Sequence, residues 1–206
     1  DPKYVAEMSK EGFDPHLDLA KHAGYVTQSQ IDKYHRGEID LKPLRKDFKV
    51  VNYSATYGVG AMKLSRETGM CKAKAQELLD AYWKRNWSVR EFSREQKVRK
   101  INGEMWIQNP VSKFWHSLRY EKDAFSTINQ STGSYCFDKW VAFYRTRRTN
   151  IVGQFHDESI NVVKKGEEKE HTKTLHWAID KLNEQLKLNV QLGIDVQYGN
   201  NYAEVH

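Results

Sequence analysis

The sequence predicts an α+β fold in which helices dominate and a small antiparallel sheet lies in the second half of the chain. In the first half, capping signals such as Asp14-Pro15 and Thr27 stand at the start of stretches with helical periodicity. In the second half, short apolar segments flank the polar triplet at 156–158, which is typical of a β-hairpin. These signals together indicate a helix-rich region followed by a region that contains strands.

Five helical stretches are expected before the first strand. They are residues 1–10, 15–24, 27–37, 42–57 and 71–100. Most of them end near a glycine, as is usual after a helix. The fifth is the longest, and its apolar residues recur at helical spacing, which predicts packing into a core. A break near Asn86-Trp87 is the alternative to one continuous helix there.

Strands and helices alternate in the rest of the chain. The expected strands lie at residues 104–107, 114–116, 150–154, 159–163 and 190–197. The expected helices between them cover residues 121–147 and 167–187. A turn at Asn109-Pro110 would join the first two strands, and the triplet at 156–158 would join the next two.

Charge and aromatic content favour a nucleic-acid partner. The 206 residues carry a formal net charge of +6, and 12% of them are aromatic. Basic side chains release counterions when they neutralise phosphates, and aromatic faces provide surfaces on which bases stack. The two cysteines lack metal-ligand spacing, and no apolar run approaches the roughly 20 residues of a membrane span. The composition therefore favours neither a cysteine-ligated metal site nor a membrane partner.

The expected helix at 42–57 carries the first candidate site. Arg45, Lys49 and Tyr53 recur every four residues and share one helical face. Four residues advance about 6 Å along the helix axis, so two cations one turn apart can bind adjacent phosphates of a triphosphate. Tyr53 would then reach the sugar and base, and Tyr57 beside Gly58 would stack near a base pair. An ordinary basic amphipathic helix with a solvated face is the alternative reading of this pattern.

The turn at 156–158 carries the second candidate site. Asp157 and Glu158 are acidic side chains between apolar strands, which is costly unless they are solvated or bound to a cation. Mg²⁺ prefers carboxylate oxygens together with substrate phosphates. Phosphoryl transfer by two metals about 3.5–4 Å apart needs such carboxylates on a rigid element. A plain polar hairpin turn remains the alternative.

In sequence order, these patterns and two further ones resemble the family A DNA polymerases. The matching segments are 14–16 (a D-x-H segment), 45–58 (the fingers motif B), 129–133 (a palm-helix segment) and 154–158 (the HDE turn of motif C). Residues 200–206 also resemble the C-terminus of that family. The resemblance implies fingers over residues 1–103, with the nucleotide-binding helix at about 42–57. It implies a C-terminal portion of the palm over 104–206.

The resemblance implies a role for each matching residue of the fingers. Arg45 and Lys49 would bind the triphosphate, and Lys49 would also donate a proton to the leaving pyrophosphate. His16 would approach the same phosphates. Tyr53 would pack on the deoxyribose, and Tyr57 would stack near the template base.

The palm residues would hold metal and DNA. By resemblance, Asp157 would be a direct ligand of Mg²⁺ and Glu158 a weaker or indirect one, with two ions in the complete site. Five further side chains would contact the primer and template: Gln130, Gln154, His156, Lys122 and Ser126. Minor-groove acceptors are shared by all base pairs, so contacts made there check geometry rather than sequence.

The sequence also departs from the family pattern. Ser54 stands where a glycine is common in motif B, Ser126 where the family often has Asn, and Lys122 where it often has Arg. The strand that carries the motif A aspartate is not found in the sequence. The resemblance implies that this aspartate lies upstream or on a partner chain, and that the polymerase site within this chain is incomplete.

The implied activity is Mg-dependent nucleotidyl transfer from dNTPs to the 3′-OH of a primer on template DNA. A single-subunit RNA polymerase shares a Lys-to-Tyr-Gly helix and an HD turn, but Glu158 and Arg45 favour the DNA enzyme. A nucleic-acid-binding module that has lost its chemistry is a further alternative. The expected setting is the bacterial cytoplasm during phage infection, with an organelle as the alternative.

Overall fold

The computed structural model describes residues 1–205, which divide into two compact units. The N-terminal unit comprises Asp1–Gln108 and Trp115–Ile128. The C-terminal unit comprises Asn109–Phe114 and the chain from Asn129 onward. The expected α+β class is confirmed. The assignment of fingers to 1–103 and palm to 104–206 stays a prediction, and His206, the last residue of the family-like C-terminal segment, lies outside the described residues.

Short helices make up most of the N-terminal unit. They are α1 (Pro2–Met8), α2 (Pro15–His22), α3 (Gln28–His35), α4 (Lys42–Thr56), α5 (Ala61–Thr68), α6 (Lys72–Arg85) and α7 (Trp87–Glu95). The predicted start signals are confirmed, because Asp14 caps α2 with its side chain and Thr27 forms a capping box with Gln30. Helix α5, between Gly60 and Gly69, was not predicted.

The core of the N-terminal unit lies between α2, α4 and α6. Their fully or nearly fully buried side chains include Leu17, Val51, Ala55, Ala75 and Leu78. The apolar residues of the fifth predicted helical stretch, at positions 78–83, pack into this core, as predicted. The break near Asn86 is real, because Asn86 ends α6 and precedes α7.

A three-stranded antiparallel sheet completes the N-terminal unit. Its strands are β1 (Arg99–Ile101), β2 (Glu104–Gln108) and β3 (Trp115–Leu118), in the order β1-β2-β3. The prediction of helix as far as residue 100 was wrong. Asn102 and Gly103 both have positive φ, at 50° and 83°, and join β1 to β2 as a tight turn. Asn-Gly is a strong hairpin signal, and it turns the chain back into a strand instead of extending the helix.

The C-terminal unit contains most of α8 (Ala124–Arg145), the hairpin strands β4 (Ile151–Phe155) and β5 (Glu158–Asn161), and α9 (Glu168–Leu186). Short 3₁₀ turns cover Glu121–Asp123, ahead of α8, and Tyr202–Glu204. Tyr144, Leu175, Ala178 and Leu182 form the centre of its core. Within residues 1–205, no helix is both long and apolar enough to span a bilayer.

The strand expected at 190–197 was wrong as a secondary-structure assignment. The side chains do alternate as predicted, since Leu192, Ile194 and Val196 pack against the core while Asp195 is exposed. The segment has no strand assignment, because none of the described strands forms a ladder with it. Instead, the Asn183 side-chain amide accepts a hydrogen bond from the Leu192 N–H at 2.8 Å and donates one to the Leu192 carbonyl at 2.9 Å. Alternation determines which side chains are buried, but a ladder needs a partner strand.

Candidate functional site

Helix α4 presents the predicted nucleotide-binding residues on its exposed side. Phe48, Val51 and Ala55 are buried on the opposite side of the helix. Lys49 is exposed, and the exposed fractions of Tyr53 and Tyr57 are 51% and 43%. The Lys49 ammonium lies 5.7 Å from the centre of the Tyr53 ring, which is within the range of a cation–π contact. The amphipathic pattern of the sequence therefore positions these side chains on a rigid, packed helix.

Asp14 joins the start of α2 to α4. One of its carboxylate oxygens accepts hydrogen bonds from the backbone N–H groups of His16 and Leu17, at 2.8 and 3.0 Å. The other oxygen accepts from Nε of Arg45. Partial burial by itself raises the pKa of Asp14, but the hydrogen bonds from Arg45 and these N–H groups bring it below its usual value. Asp14 is therefore charged at neutral pH and fixes the orientation of the Arg45 guanidinium.

His16 is buried in the first turn of α2 and faces α4. Its Nδ1 atom lies 3.0 Å from Nδ2 of Asn52, and its ring centre lies 5.9 Å from that of Tyr53. An amide nitrogen only donates, so Nδ1 of His16 accepts and the neutral ring carries its proton on Nε2. Burial lowers the pKa of His16, which keeps the ring neutral at pH 7. His16 can then donate one hydrogen bond from Nε2.

Contacts between α2 and α4 gather three of the predicted residues, His16, Arg45 and Tyr53, and the Tyr53 ring in turn contacts Lys49. Tyr57 ends the same helix, immediately before Gly58, whose φ of 70° suits glycine. Asn52 also belongs to this group of contacting side chains, and it was not predicted from the sequence. Its signal was its place seven positions after Arg45, on the same helical face.

The β4–β5 hairpin carries the predicted metal ligands. Phe155 pairs with Glu158, so His156 and Asp157 form a two-residue turn. His156 has a φ of 52°, a left-handed conformation that His adopts more readily than most residues do. His156 and Asp157 are exposed, and Glu158 is half-buried at the start of β5. The tip therefore presents Asp157 to solvent, and Glu158 only in part.

The donor set at this tip fits part of a Mg²⁺ site. In the portion of the chain that the structure describes, no group of three or more His, Cys, Asp or Glu side chains could hold a metal ion. Asp157 and Glu158 supply carboxylate oxygens, which Mg²⁺ prefers, and Mg²⁺ is often bound by one or two carboxylates with substrate phosphates and waters. These two residues can hold such an ion when further oxygen ligands come from substrate or from another segment.

The five predicted primer–template residues are divided between the units. Gln130, Gln154 and His156 are exposed residues of the C-terminal unit. Lys122 and Ser126 belong to the N-terminal unit. Lys122 is exposed, with its ammonium 5.5 Å from the centre of the Tyr120 ring, and the Ser126 hydroxyl donates to the Asp123 carbonyl at 2.9 Å. Each of these residues is exposed except Ser126, which is half-buried.

Two comparisons with known proteins agree with this geometry. The family model for DNA polymerase family A matches residues 1–204. The POL domain of Pol1 from M. smegmatis, solved in complex with DNA primer-template and dNTP, has a similar fold, with a TM-score of 0.71 and 21% sequence identity. The alignment covers 100% of this chain and 39% of that one, so this chain spans about two fifths of the length of its structural relative.

Proposed function

Because this chain belongs to DNA polymerase family A, we propose that it is the C-terminal portion of a template-directed DNA polymerase. The enzyme adds dNTPs to the 3′-OH of a primer by nucleotidyl transfer. One observation carries this proposal: the predicted phosphate and sugar contacts lie together where α2 packs on α4. Asp14 bonds Arg45 there, and the Tyr53 ring contacts both His16 and Lys49. A structural relative that was solved with DNA primer-template and dNTP supports the same partners.

Helix α4 binds the incoming nucleotide in this proposal. Arg45 and Lys49, one turn apart, hold the triphosphate, and His16 donates to a phosphate oxygen from Nε2. Lys49 also donates a proton to the leaving pyrophosphate. Tyr53 packs on the sugar, and Tyr57 stacks against the template base at the exit of the helix. Catalysis then comes mainly from positioning and from charge stabilisation.

The hairpin supplies carboxylates for two Mg²⁺ ions. Asp157 is a direct ligand and Glu158 a weaker or indirect one. Ions held there would supply positive charge against the charge that develops on the transferred phosphate. A motif A aspartate from a segment outside this chain, in the same protein or in a partner, completes the ligand set.

Five side chains contact primer and template DNA in this proposal. Gln130, Gln154 and His156 contact the primer terminus and the minor groove, and Lys122 and Ser126 make further contacts. The exposure of Gln130, Gln154 and His156 is compatible with these roles. The phage setting is also part of the proposal, and it rests on the likeness of residues 129–133 to phage enzymes.

Primer extension by the polymerase that contains this chain tests the proposal. We expect templated extension with dNTPs and none with NTPs. Asp157→Asn should lose extension and keep its affinity for primer-template DNA, because the substitution removes a charge at the metal site without changing side-chain size. Extension with NTPs in place of dNTPs would favour an RNA polymerase. DNA binding by the wild-type protein without any extension would favour a non-catalytic module.

A further inference from the structure

A buried histidine in α9 lies between two tyrosine hydroxyls. His171 is 2% exposed. Its Nε2 atom lies 3.0 Å from the hydroxyl of Tyr144, and its Nδ1 atom lies 2.9 Å from the hydroxyl of Tyr198. Tyr144 is fully buried near the end of α8, and Tyr198 follows the extended segment near the C-terminus. Three separate parts of the C-terminal unit therefore meet at one imidazole.

The same series of hydrogen bonds reaches the base of the β4–β5 hairpin. Tyr144 donates its hydroxyl proton to Oδ1 of Asn150, the residue immediately before β4. Nδ2 of Asn150 donates to the carbonyl of Val162, just beyond β5, at 2.6 Å. The backbone N–H of Val162 donates to the Asn150 carbonyl at 3.0 Å. Asn150 thus closes the open end of the hairpin and connects it to α8.

One arrangement of protons satisfies the whole series. Tyr144 gives its proton to Asn150, so its oxygen accepts from Nε2–H of His171. Nδ1 of His171 then accepts from the hydroxyl of Tyr198. The Glu168 carbonyl, 2.8 Å from that hydroxyl, can instead receive the proton of the Thr172 hydroxyl, which lies 2.9 Å away. Every donor in the series therefore has an acceptor.

The neutral form of His171 that this arrangement requires is the stable one. Burial lowers the pKa of His171, and the nearby positive charge of Arg148 lowers it further. A neutral imidazole has one donor and one acceptor nitrogen, so it can accept a hydrogen bond from one tyrosine and donate one to the other.

The hairpin needs such an anchor because it has only two strands. An isolated two-stranded hairpin is marginally stable, and its tip moves when its base is loose. The tip carries Asp157 and Glu158, whose chemistry depends on their position to within about half an ångström. Substitution of residues that orient metal ligands, without binding the metal themselves, commonly changes metal affinity or activity by about 10–100-fold.

We propose that Tyr198, His171, Tyr144 and Asn150 form a positioning chain, which fixes the base of the β4–β5 hairpin and so sets the position of its acidic tip. The importance of this chain for catalysis rests on the proposed polymerase function. None of these four side chains needs to touch substrate. They act through Asn150 on the strands that carry Asp157 and Glu158.

Tyr144→Phe tests the positioning chain, because it removes one hydroxyl and leaves the buried ring in place. In the polymerase that contains this chain, we expect kcat to fall about tenfold and the Mg²⁺ concentration for half-maximal rate to rise. The KM for dNTP should stay within about twofold, because α4 is unchanged. Tyr135→Phe, at a half-buried tyrosine of the same unit that is not part of the positioning chain, is the control and should change none of these quantities.

Hydrogen exchange of the hairpin amides separates this inference from the proposed function. Tyr144→Phe should speed exchange of the Val162 N–H, which donates to the Asn150 carbonyl at the base of the hairpin, by about tenfold, while α9 keeps its protection. Asn150→Asp should act the same way, because a carboxylate cannot donate to the Val162 carbonyl. Unchanged exchange in both variants would overturn the positioning chain. A wild-type enzyme without primer extension would overturn the polymerase function. The exchange result would still decide whether the positioning chain holds the hairpin.

Discussion

Helix α4 and the β4–β5 hairpin place their functional side chains in different ways. On α4, Arg45 is bonded to Asp14 on a neighbouring helix, and the other face of α4 is buried in a core. On the hairpin, Asp157 stands at an exposed two-residue turn of a two-stranded ribbon. The chain itself therefore fixes most of the proposed nucleotide-binding face, whereas the proposed metal site would depend on the base of the hairpin and on ligands from elsewhere. Substitutions on α4 should change nucleotide use directly, and changes around the hairpin should act on metal-dependent rate.

Among substitutions in these two regions, Lys49→Ala is expected to have the largest effect on nucleotide use. Loss of a charged phosphate contact that also supplies a proton should lower kcat/KM for dNTP by about 10²–10³-fold. The affinity for primer-template DNA should change by less than about twofold, because the substitution is confined to the nucleotide face. Steady-state primer extension and a DNA-binding titration measure the two quantities. An equal loss of both would show that Lys49 is a DNA contact rather than a nucleotide contact.

A smaller effect is expected from Tyr53→Phe. With tyrosine at this position, the resemblance to family A polymerases predicts easy acceptance of dideoxynucleotides, because a phenol hydroxyl beside the sugar can supply the hydrogen bond that a missing 3′-OH leaves unmade. Tyr53→Phe should raise discrimination against ddNTPs by about tenfold or more, the effect of one lost hydrogen bond. Competition between dNTP and ddNTP in primer extension gives the ratio, and strong discrimination by the wild-type enzyme would contradict the prediction.

Asp14→Asn separates the two roles of one carboxylate, the cap of α2 and the partner of Arg45. Asparagine still caps α2, because Asn is as good an N-cap as Asp, but it no longer pairs with the Arg45 charge. We expect the KM for dNTP to rise about fivefold through looser placement of Arg45, with little change in kcat. Asp14→Ala, the comparison variant, should show the same KM and an additional loss of about 1 kcal/mol of folding stability from the missing cap. A KM unchanged in both variants would mean that Arg45 needs no partner to bind nucleotide.

The smallest effect is the pH dependence of the Asp14–Arg45 pair. Folding lowers the pKa of Asp14, so the pair stabilises the fold above the unfolded pKa and this contribution disappears as pH falls through the folded one. At neutral pH, wild type should exceed Asp14→Asn by about 1 kcal/mol in the free energy of unfolding. The difference should shrink below the ordinary value of 3.8 and vanish at lower pH. Urea denaturation at a series of pH values measures it, and a constant difference would exclude the pair as its source.

Local signals made the helix starts predictable. Asp14-Pro15 and Thr27 satisfy backbone N–H groups within three residues, so their effect can be read from the sequence alone. Asn102-Gly103 is an equally local signal for a turn, and it indicates a hairpin strand rather than helix in the residues just before it. The strand expected at 190–197 shows the opposite case, because pairing depends on a second segment that no local pattern specifies.

The contacts within the candidate site were harder to predict. The motif spacing gave Arg45, Lys49 and Tyr53 a common face, which the helix preserves. The pairing of Asn52 with His16, 36 residues apart, has no signature in either segment. The same is true of Tyr144 and His171, which are 27 residues apart. Such contacts are products of tertiary packing, which brings distant residues together without a periodic pattern between them.

The unpaired segment at 190–197 also affects how the protein behaves at high concentration. An extended stretch that alternates apolar and polar residues, with no ladder partner among the described strands, is a template on which another copy can add a strand. Asp195 is the one charged residue in this stretch, and a charge at a sheet edge opposes that kind of association. Solubility of the purified chain should therefore depend on Asp195 far more than the small size of this side chain suggests.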